Sequence, residues 1–326
     1  MNNATPLLHV KNLHVRYTTD EGTVHAVNGV DLVMKKGETL GLVGETGAGK
    51  TTTALSILRL IPDPPGEITS GEILFDGHDL VPYSAMKMRK VRGNHISMIF
   101  QDPMTALNPV LTIGDQISEV IRLHDRLSRS EAYGKATRML ELVGIPADRM
   151  GEYPHQFSGG MKQRVVIAIA LVCNPLLLIA DEPTTALDVT IQAQVLELMQ
   201  NLRTELGTSM MLITHDLGVV AKICDTVAIM YAGEIVEYGT LQEVYNNTRH
   251  PYTKGLFGSI PKIDVRERRL KPIPGLMPDP THLPQGCSFH PRCPFCTDQC
   301  RHKKPENVLL YGDHFAKCYY AEDGLQ

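Results

Sequence analysis

The sequence lacks a long apolar segment, a secretory signal and an excess of basic residues. The longest apolar run near its middle, Val165 to Cys173, ends at Asn174-Pro175 and is far shorter than the roughly 20 residues of a membrane helix. The N-terminus has no basic region followed by an apolar run, so we expect no signal peptide and a cytosolic chain. A net charge of −4 gives no indication of nucleic-acid binding.

The composition is that of a globular protein. The 326 residues are 43% hydrophobic and 21% charged, which leaves room for one large domain or two modest ones. In a cytosolic chain, the seven cysteines are expected to be thiols or metal ligands rather than disulfides.

The pattern of apolar residues predicts an α/β core with a helical insertion. Short alternating strands are expected in 7–34 and 66–80, and a mostly helical stretch at about 84–157. Compact apolar runs, typical of strands covered on both faces, alternate with helical patterns. The runs are 40–43, 176–180, 210–214 and 227–230, and the helical patterns are 51–60, 190–206 and 217–223.

Beyond about residue 245 the chain becomes rich in proline, which breaks up long elements. We therefore predict a large domain over 1–245 and a small accessory domain over 246–326. The accessory domain carries five of the seven cysteines.

A glycine-rich loop follows the predicted strand 40–43 and opens a helix. Its Gly-x4-Gly-Lys-Thr spacing lets backbone N–H groups surround phosphates. We predict that Lys50 contacts the β- and γ-phosphates of ATP and that Thr51 binds Mg²⁺. The predicted nucleotide-binding residues of this loop are Gly44, Glu45, Thr46, Gly47, Ala48, Gly49, Lys50, Thr51 and Thr52.

Two acidic residues end the apolar run 176–180. Asp181 is expected at the carboxyl edge of a parallel strand, where ligands bind, and it can hold Mg²⁺ through water. Glu182 is the candidate base for the attacking water. By itself, such a pair is equally compatible with an exposed acidic strand end.

Ser158, Gly159 and Gly160 precede an apolar helix and predict a helix start with free N–H donors, or a plain N-cap. Together with the loop and the acidic pair, this block resembles the signature of ATP-binding cassette (ABC) ATPases, usually LSGGQ. Phe157 and Met161 depart from that form. The resemblance implies that this helix start contacts the ATP of a partner subunit.

The cassette resemblance covers roughly residues 7–245. It implies a P-loop NTPase core of ABC type with an antiparallel β subdomain and a helical subdomain. It also implies that Gln101 contacts Mg²⁺ and water, that His215 contacts the γ-phosphate and that Tyr17 stacks on adenine.

The cysteines of the tail predict a metal site. The Cys293-x2-Cys296 spacing suits zinc, and four thiolates can also hold an iron–sulfur cluster. The segments 286–294, 250–253 and 100–109 resemble dipeptide/oligopeptide permease ATP-binding subunits. That resemblance favours a 4Fe–4S cluster over Zn²⁺, with the ligands Cys287, Cys293, Cys300 and Cys318.

The predicted function is therefore ATP hydrolysis that drives a peptide importer from the cytoplasmic face of the membrane. The resemblance implies a second cassette subunit as partner, more often a paralogue, with two permease subunits and, indirectly, an extracytoplasmic solute-binding protein. Relatives import nickel, oligosaccharides or other solutes, so the solute stays open. A cassette acting on nucleic acid or ribosomes is disfavoured because 52–157 contains no heptads and the chain has one cassette. The intact acidic pair disfavours a non-hydrolysing metal-binding regulator.

Overall fold

The computed structural model describes residues 5–185, 187–259 and 272–322. Short 3₁₀ turns lie at Ala147–Gly151, Pro154–Gln156 and His290–Arg292. The strands are Leu8–Thr19 (β1), Gly22–Met34 (β2), Thr39–Val43 (β3), Gly66–Phe75 (β4), His78–Asp79 (β5), Ile96–Ile99 (β6), Leu177–Asp181 (β7), Ser209–Thr214 (β8), Thr226–Tyr231 (β9), Glu234–Thr240 (β10), Val308–Tyr311 (β11) and His314–Ala316 (β12). The helices are Lys50–Ile57 (α1), Ala85–Val91 (α2), Pro103–Ala106 (α3), Ile113–Asp125 (α4), Arg129–Leu142 (α5), Gly159–Leu171 (α6), Val189–Leu206 (α7), Leu217–Ile223 (α8), Leu241–Asn246 (α9), Pro251–Gly258 (α10) and Asp298–His302 (α11).

The chain divides into two compact units. The first comprises the described residues of 1–81 and 214–326, and the second comprises those of 82–213. The division at residue 245 that the sequence suggests is a different one and stays a prediction. No helix among the described residues is both long and apolar enough to cross a membrane.

An antiparallel sheet of the first unit has the strand order β2-β1-β4-β5. Leu8 of β1 lies opposite Met34 of β2. The sequence predicts short strands in 7–34, but β1 and β2 have 12 and 13 residues. The register between β1 and β2 shifts between Val10 and Leu13. Because such a bulge interrupts the two-residue alternation of apolar side chains, one long strand looks like two short ones in the sequence.

The first unit also contains a set of mixed strands. β3 runs parallel to β9, and β9 pairs with β10 in antiparallel fashion. From the C-terminal segment, β12 adds to β10 and β11 adds to β12. Every residue of β3 and β9 is buried, as expected for apolar runs covered on both faces. The C-terminal segment is thus joined to the core strands by backbone pairing.

The second unit contains three parallel strands in the order β6-β7-β8. All residues of β7 and β8 are buried, and α7 and α6 complete the α/β pattern. Helices α2 to α5 occupy much of 84–157, but β6 lies inside the same stretch. A capping box begins α5, with Ser128 and Glu131 bonded reciprocally.

Candidate functional site

The glycine-rich loop connects β3 to α1 inside the first unit. Gly49 is the N-cap of α1 and has a φ of 103°. A side chain at either flanking glycine would collide with backbone, since a Cβ on Gly44 would lie 2.2 Å from the Met230 carbonyl oxygen and one on Gly49 2.4 Å from that of Ala26. The loop therefore needs glycine at these positions to curl tightly.

The loop also surrounds the ammonium group of Lys50, while the middle of the loop is exposed to solvent. The Lys50 ammonium is buried and donates hydrogen bonds to the carbonyl oxygens of Gly44 (2.7 Å) and Glu45 (2.9 Å). Thr46, Gly47 and Thr51 are exposed. A buried ammonium, a helix start and an exposed loop tip fit a phosphate ligand.

Glu45 of the loop is held by the C-terminal half of the chain. Its backbone N–H donates to the Tyr252 hydroxyl at 3.0 Å, and its carboxylate accepts from the Arg292 guanidinium at 2.9 and 3.2 Å. Neither Tyr252 nor Arg292 has a role predicted from the sequence. No local pattern could predict one, because these contacts join residues more than 200 positions apart.

In the second unit, the structure brings two predicted catalytic residues together. Gln101 Nε2 donates to Glu182 Oε2 at 2.9 Å, and Thr185 Oγ1 donates to the same oxygen at 3.1 Å. Asp181, the last residue of β7, is buried. Glu182 follows with a φ of 45°, a conformation that is costly for a residue with a side chain. Its N–H donates to the Ile213 carbonyl at 2.9 Å, which holds that conformation.

The predicted signature forms the start of α6, also in the second unit. Ser158 is the N-cap and accepts from the Met161 N–H, and Gly159 and Gly160 begin the helix. The side chain of Ser158 is exposed. At Gly160, a Cβ would lie 2.7 Å from the Ile191 side chain, so the close approach of α7 requires glycine there.

Phe157 and Met161, the two residues that differ from the usual signature, both contact Arg149. The Arg149 guanidinium lies 4.4 Å from the ring centre of buried Phe157 and donates to the Met161 sulfur at 3.3 Å. Phe157 therefore retains the apolar anchoring expected of the leucine in the usual motif.

Two further predicted site residues lie in the first unit. His215 follows β8 and is exposed. Tyr17 lies in β1 opposite Gly66, where a Cβ would meet the tyrosine ring at 2.6 Å. This packing accounts for the position of Tyr17 without a ligand. The roles of both residues stay predictions.

The cysteines expected to bind a metal line one cavity of the C-terminal segment, together with Phe289, Tyr320 and other apolar side chains. The cavity holds about 20 Å³, which is room for about one water molecule. Across the described part of the chain, no group of three or more His, Cys, Asp or Glu side chains is arranged to hold a metal ion. The predicted cluster ligands in this cavity are Cys287, Cys293, Cys300 and Cys318.

The prediction of a 4Fe–4S cluster, with Zn²⁺ as its alternative, is therefore contradicted. Burial raises the pKa of Cys287 to about 12 and that of Cys293 to about 11. The proline-rich tail packs through its aromatic rings. Phe289 lies against Tyr231 and Tyr252, with ring centres 5.2 and 5.5 Å apart, so the tail shares the core of the first unit.

Known proteins match both halves of the chain. A model of the ABC transporter family matches residues 27–185, and a model of the oligopeptide/dipeptide transporter C-terminal region matches 236–300. The chain is 51% identical over 315 residues to the dipeptide transport ATP-binding protein DppD of Bacillus subtilis, which covers 96% of this chain and 94% of that protein. The chain belongs to the ABC transporter ATP-binding family.

Other members agree with this assignment. The cassette is 51% identical to the oligopeptide transport ATP-binding protein OppD of Haemophilus influenzae, over 91% of this chain and 92% of that one. Among solved structures, dimeric MJ0796 bound to ADP and Pi covers 72% of this chain and 98% of its own chain, with a TM-score of 0.64 and 28% identity. The fold is thus that of an ABC ATPase with mixed α/β sheets, and the resemblance predicted from the motifs is confirmed.

Proposed function

We propose that this chain is the ATP-hydrolysing subunit of an ABC importer for dipeptides or oligopeptides. The observation that carries the proposal is 51% identity to a dipeptide transport ATP-binding protein over 96% of the chain. The match to an oligopeptide/dipeptide transporter C-terminal region supports the same substrate class.

In this proposal, the phosphate loop binds the triphosphate. Lys50 contacts the β- and γ-phosphates, and the N–H groups between Gly44 and Thr52 surround them. Thr51 and Gln101 hold Mg²⁺, which when bound supplies positive charge against the phosphate oxygens. Tyr17 stacks on the adenine ring.

Hydrolysis depends on four side chains in the same proposal. Glu182 accepts a proton from the attacking water. Gln101, whose amide donates to Glu182 at 2.9 Å, orients that carboxylate and the water. Asp181 would hold Mg²⁺ through water, and His215 donates to the γ-phosphate.

The signature at Ser158, Gly159 and Gly160 acts on a second cassette. An exposed helix start with an N-cap serine offers N–H donors to the phosphates of a partner subunit. Each active site then combines the phosphate loop of one subunit with the signature of the other. In this proposal the partner is a second cassette subunit that is a paralogue of this chain.

The remaining parts couple hydrolysis to transport. A helical subdomain of about 84–157 moves with the signature and drives two permease subunits, which receive peptide from an extracytoplasmic binding protein. The chain works at the cytoplasmic face of the membrane as a peripheral subunit, without nucleic acid. A C-terminal accessory domain of 246–326 completes the subunit.

The test is uptake by the assembled transporter in vesicles, with the permeases, the second cassette and the binding protein from the same genome. We expect the vesicles to take up dipeptides and oligopeptides. Uptake should require MgATP inside the vesicles and should be abolished by Glu182→Gln. Uptake of nickel or of an oligosaccharide in place of peptides would overturn the substrate class. ATP-dependent binding of the chain to nucleic acid or ribosomes without permeases would overturn the transport role.

A further inference from the structure

Arg292, in the C-terminal segment, makes a two-pronged ion pair with the phosphate loop. Its Nη1 lies 2.9 Å from Glu45 Oε2, and its Nη2 lies 3.2 Å from Glu45 Oε1. The side chain of Arg292 is only 6% exposed and that of Glu45 30% exposed. A buried bidentate pair is stronger and more directional than a surface salt bridge.

The guanidinium is itself fixed on its other side. Arg292 Nε donates to the Pro274 carbonyl at 2.9 Å, and Nη1 lies 3.5 Å from the Tyr231 hydroxyl at the end of β9. Because these contacts hold the guanidinium in one orientation, its two terminal nitrogens are already placed to bind both carboxylate oxygens of Glu45.

The same loop residue is held through its backbone. The Glu45 N–H donates to the hydroxyl of Tyr252, whose buried ring packs on Tyr231 with centres 4.6 Å apart. The Glu45 carbonyl accepts from the Lys50 ammonium at 2.9 Å. Glu45 therefore connects Arg292 to the lysine of the phosphate loop.

The tail approaches the nucleotide region at two further points. The Met277 methyl carbon lies 3.3 Å from where a Cβ on Gly47 would be, at the tip of the loop. The Pro280 carbonyl accepts from the His25 N–H of β2 at 2.9 Å. The segment between Pro274 and Pro280 thus runs along the loop and the adjacent strand.

We propose that Arg292 is a positioning residue of the phosphate loop. Three glycines make the loop flexible, and ordering it when ATP binds costs conformational entropy. By fixing Glu45, Arg292 keeps the loop and Lys50 in the binding conformation before the ligand arrives. It also neutralises a carboxylate that would otherwise repel the phosphates. The C-terminal segment therefore sets the affinity for ATP, a role that rests on the proposed binding of ATP by this loop.

The first test is titration of the full-length chain with MgATP. Arg292→Ala should raise Kd about tenfold, and Arg292→Lys, which keeps the charge but loses the fork, about threefold. The matched control is Arg301→Ala, which removes an exposed arginine from the same segment and should leave Kd unchanged. Kd values within twofold of the unmodified chain for both Arg292 variants would overturn the proposal.

A double-mutant cycle separates positioning of Glu45 from a general role in folding the tail. In a Glu45→Ala background, Arg292→Ala should change Kd by less than about twofold, because its partner is already absent. If Arg292→Ala weakened MgATP binding equally with Glu45 present and in the Glu45→Ala background, the effect would come from the contacts with Pro274 and Tyr231. That result would overturn the proposal.

Steady-state hydrolysis by the assembled transporter adds a second readout. Arg292→Ala should raise KM for ATP and leave kcat within about twofold, because the clamp acts on ground-state binding. A fall in kcat with KM unchanged would contradict positioning. Failure of the unmodified chain to bind MgATP would instead refute the proposed site, so the two failures are distinguishable.

Discussion

Replacing Glu182 by glutamine tests the proposed catalytic base with little structural disturbance. The glutamate follows β7 with a φ of 45°, and its Oε2 accepts from Gln101 and Thr185. Glutamine has the same shape and retains one oxygen that can accept both hydrogen bonds. The side chain loses its charge and its capacity to take a proton from water.

The expected effects on stability and on turnover differ in size. Two hydrogen bonds to a charged acceptor, worth about 1.5–3 kcal/mol each, become neutral bonds worth about 0.5–1.5 kcal/mol each. The free energy of unfolding should therefore fall by about 2 kcal/mol. Hydrogen bonds from water to the partly exposed side chain should reduce this loss. Loss of a general base costs about a hundred- to ten-thousand-fold in kcat, which is about 3–5 kcal/mol of activation free energy.

The assay is single-site ATPase activity of the assembled transporter, measured beside MgATP affinity and thermal unfolding. The matched control is Glu197→Gln, which removes an exposed carboxylate from α7 of the same unit. We expect Glu182→Gln to bind MgATP with near-normal Kd and accumulate as an ATP-bound dimer. A kcat within threefold of the unmodified protein would refute the assignment of Glu182 as the base.

Three further changes test other parts of the molecule. Lys50→Ala should weaken MgATP binding at least about tenfold, because it removes the cation facing the phosphates, and an unchanged Kd by calorimetry would contradict the phosphate-loop assignment. Ser158→Arg should spare ATP binding by its own chain but block the partner's site in mixed dimers, whereas a defect confined to its own site would argue against the cross-dimer role. Gly286→Ala should lower the free energy of unfolding, measured in urea, by about 2–4 kcal/mol, because Gly286 has a φ of 72° and a Cβ would lie 2.3 Å from the Cys300 carbonyl oxygen. The control is Gly134→Ala on α5, where a Cβ meets no neighbouring atom, and it should leave the protein as stable as before or stabilise it by up to about 1 kcal/mol.

The cysteine tail shows where a sequence pattern misleads. Five clustered thiols in a chain expected to be cytosolic predicted a metal site. The structure places Phe289 against Tyr231 and Tyr252, and β12 against β10, so aromatic packing and strand pairing stabilise the tail. Clustering of cysteines along the chain did not imply a ligand geometry in space.

The sequence by itself determined the local chemistry of the cassette. The glycines of the phosphate loop, the acidic residues after β7 and the N-cap serine of α6 work through spacing of a few residues. Steric and capping preferences depend on residues that are close in the sequence. The elements that carry these motifs, α1, β7 and α6, therefore formed where they were expected.

Only the tertiary structure decided which distant residues meet. The hydrogen bond from Gln101 to Glu182 joins positions 81 apart, and the pair of Arg292 with Glu45 joins positions 247 apart. Such contacts depend on how strands pair and on which side chains share a buried space, and no periodicity of the chain encodes them. The tail thus looked like an appendage in the sequence, whereas its arginine holds the phosphate loop because packing against β9 and β10 brings it there.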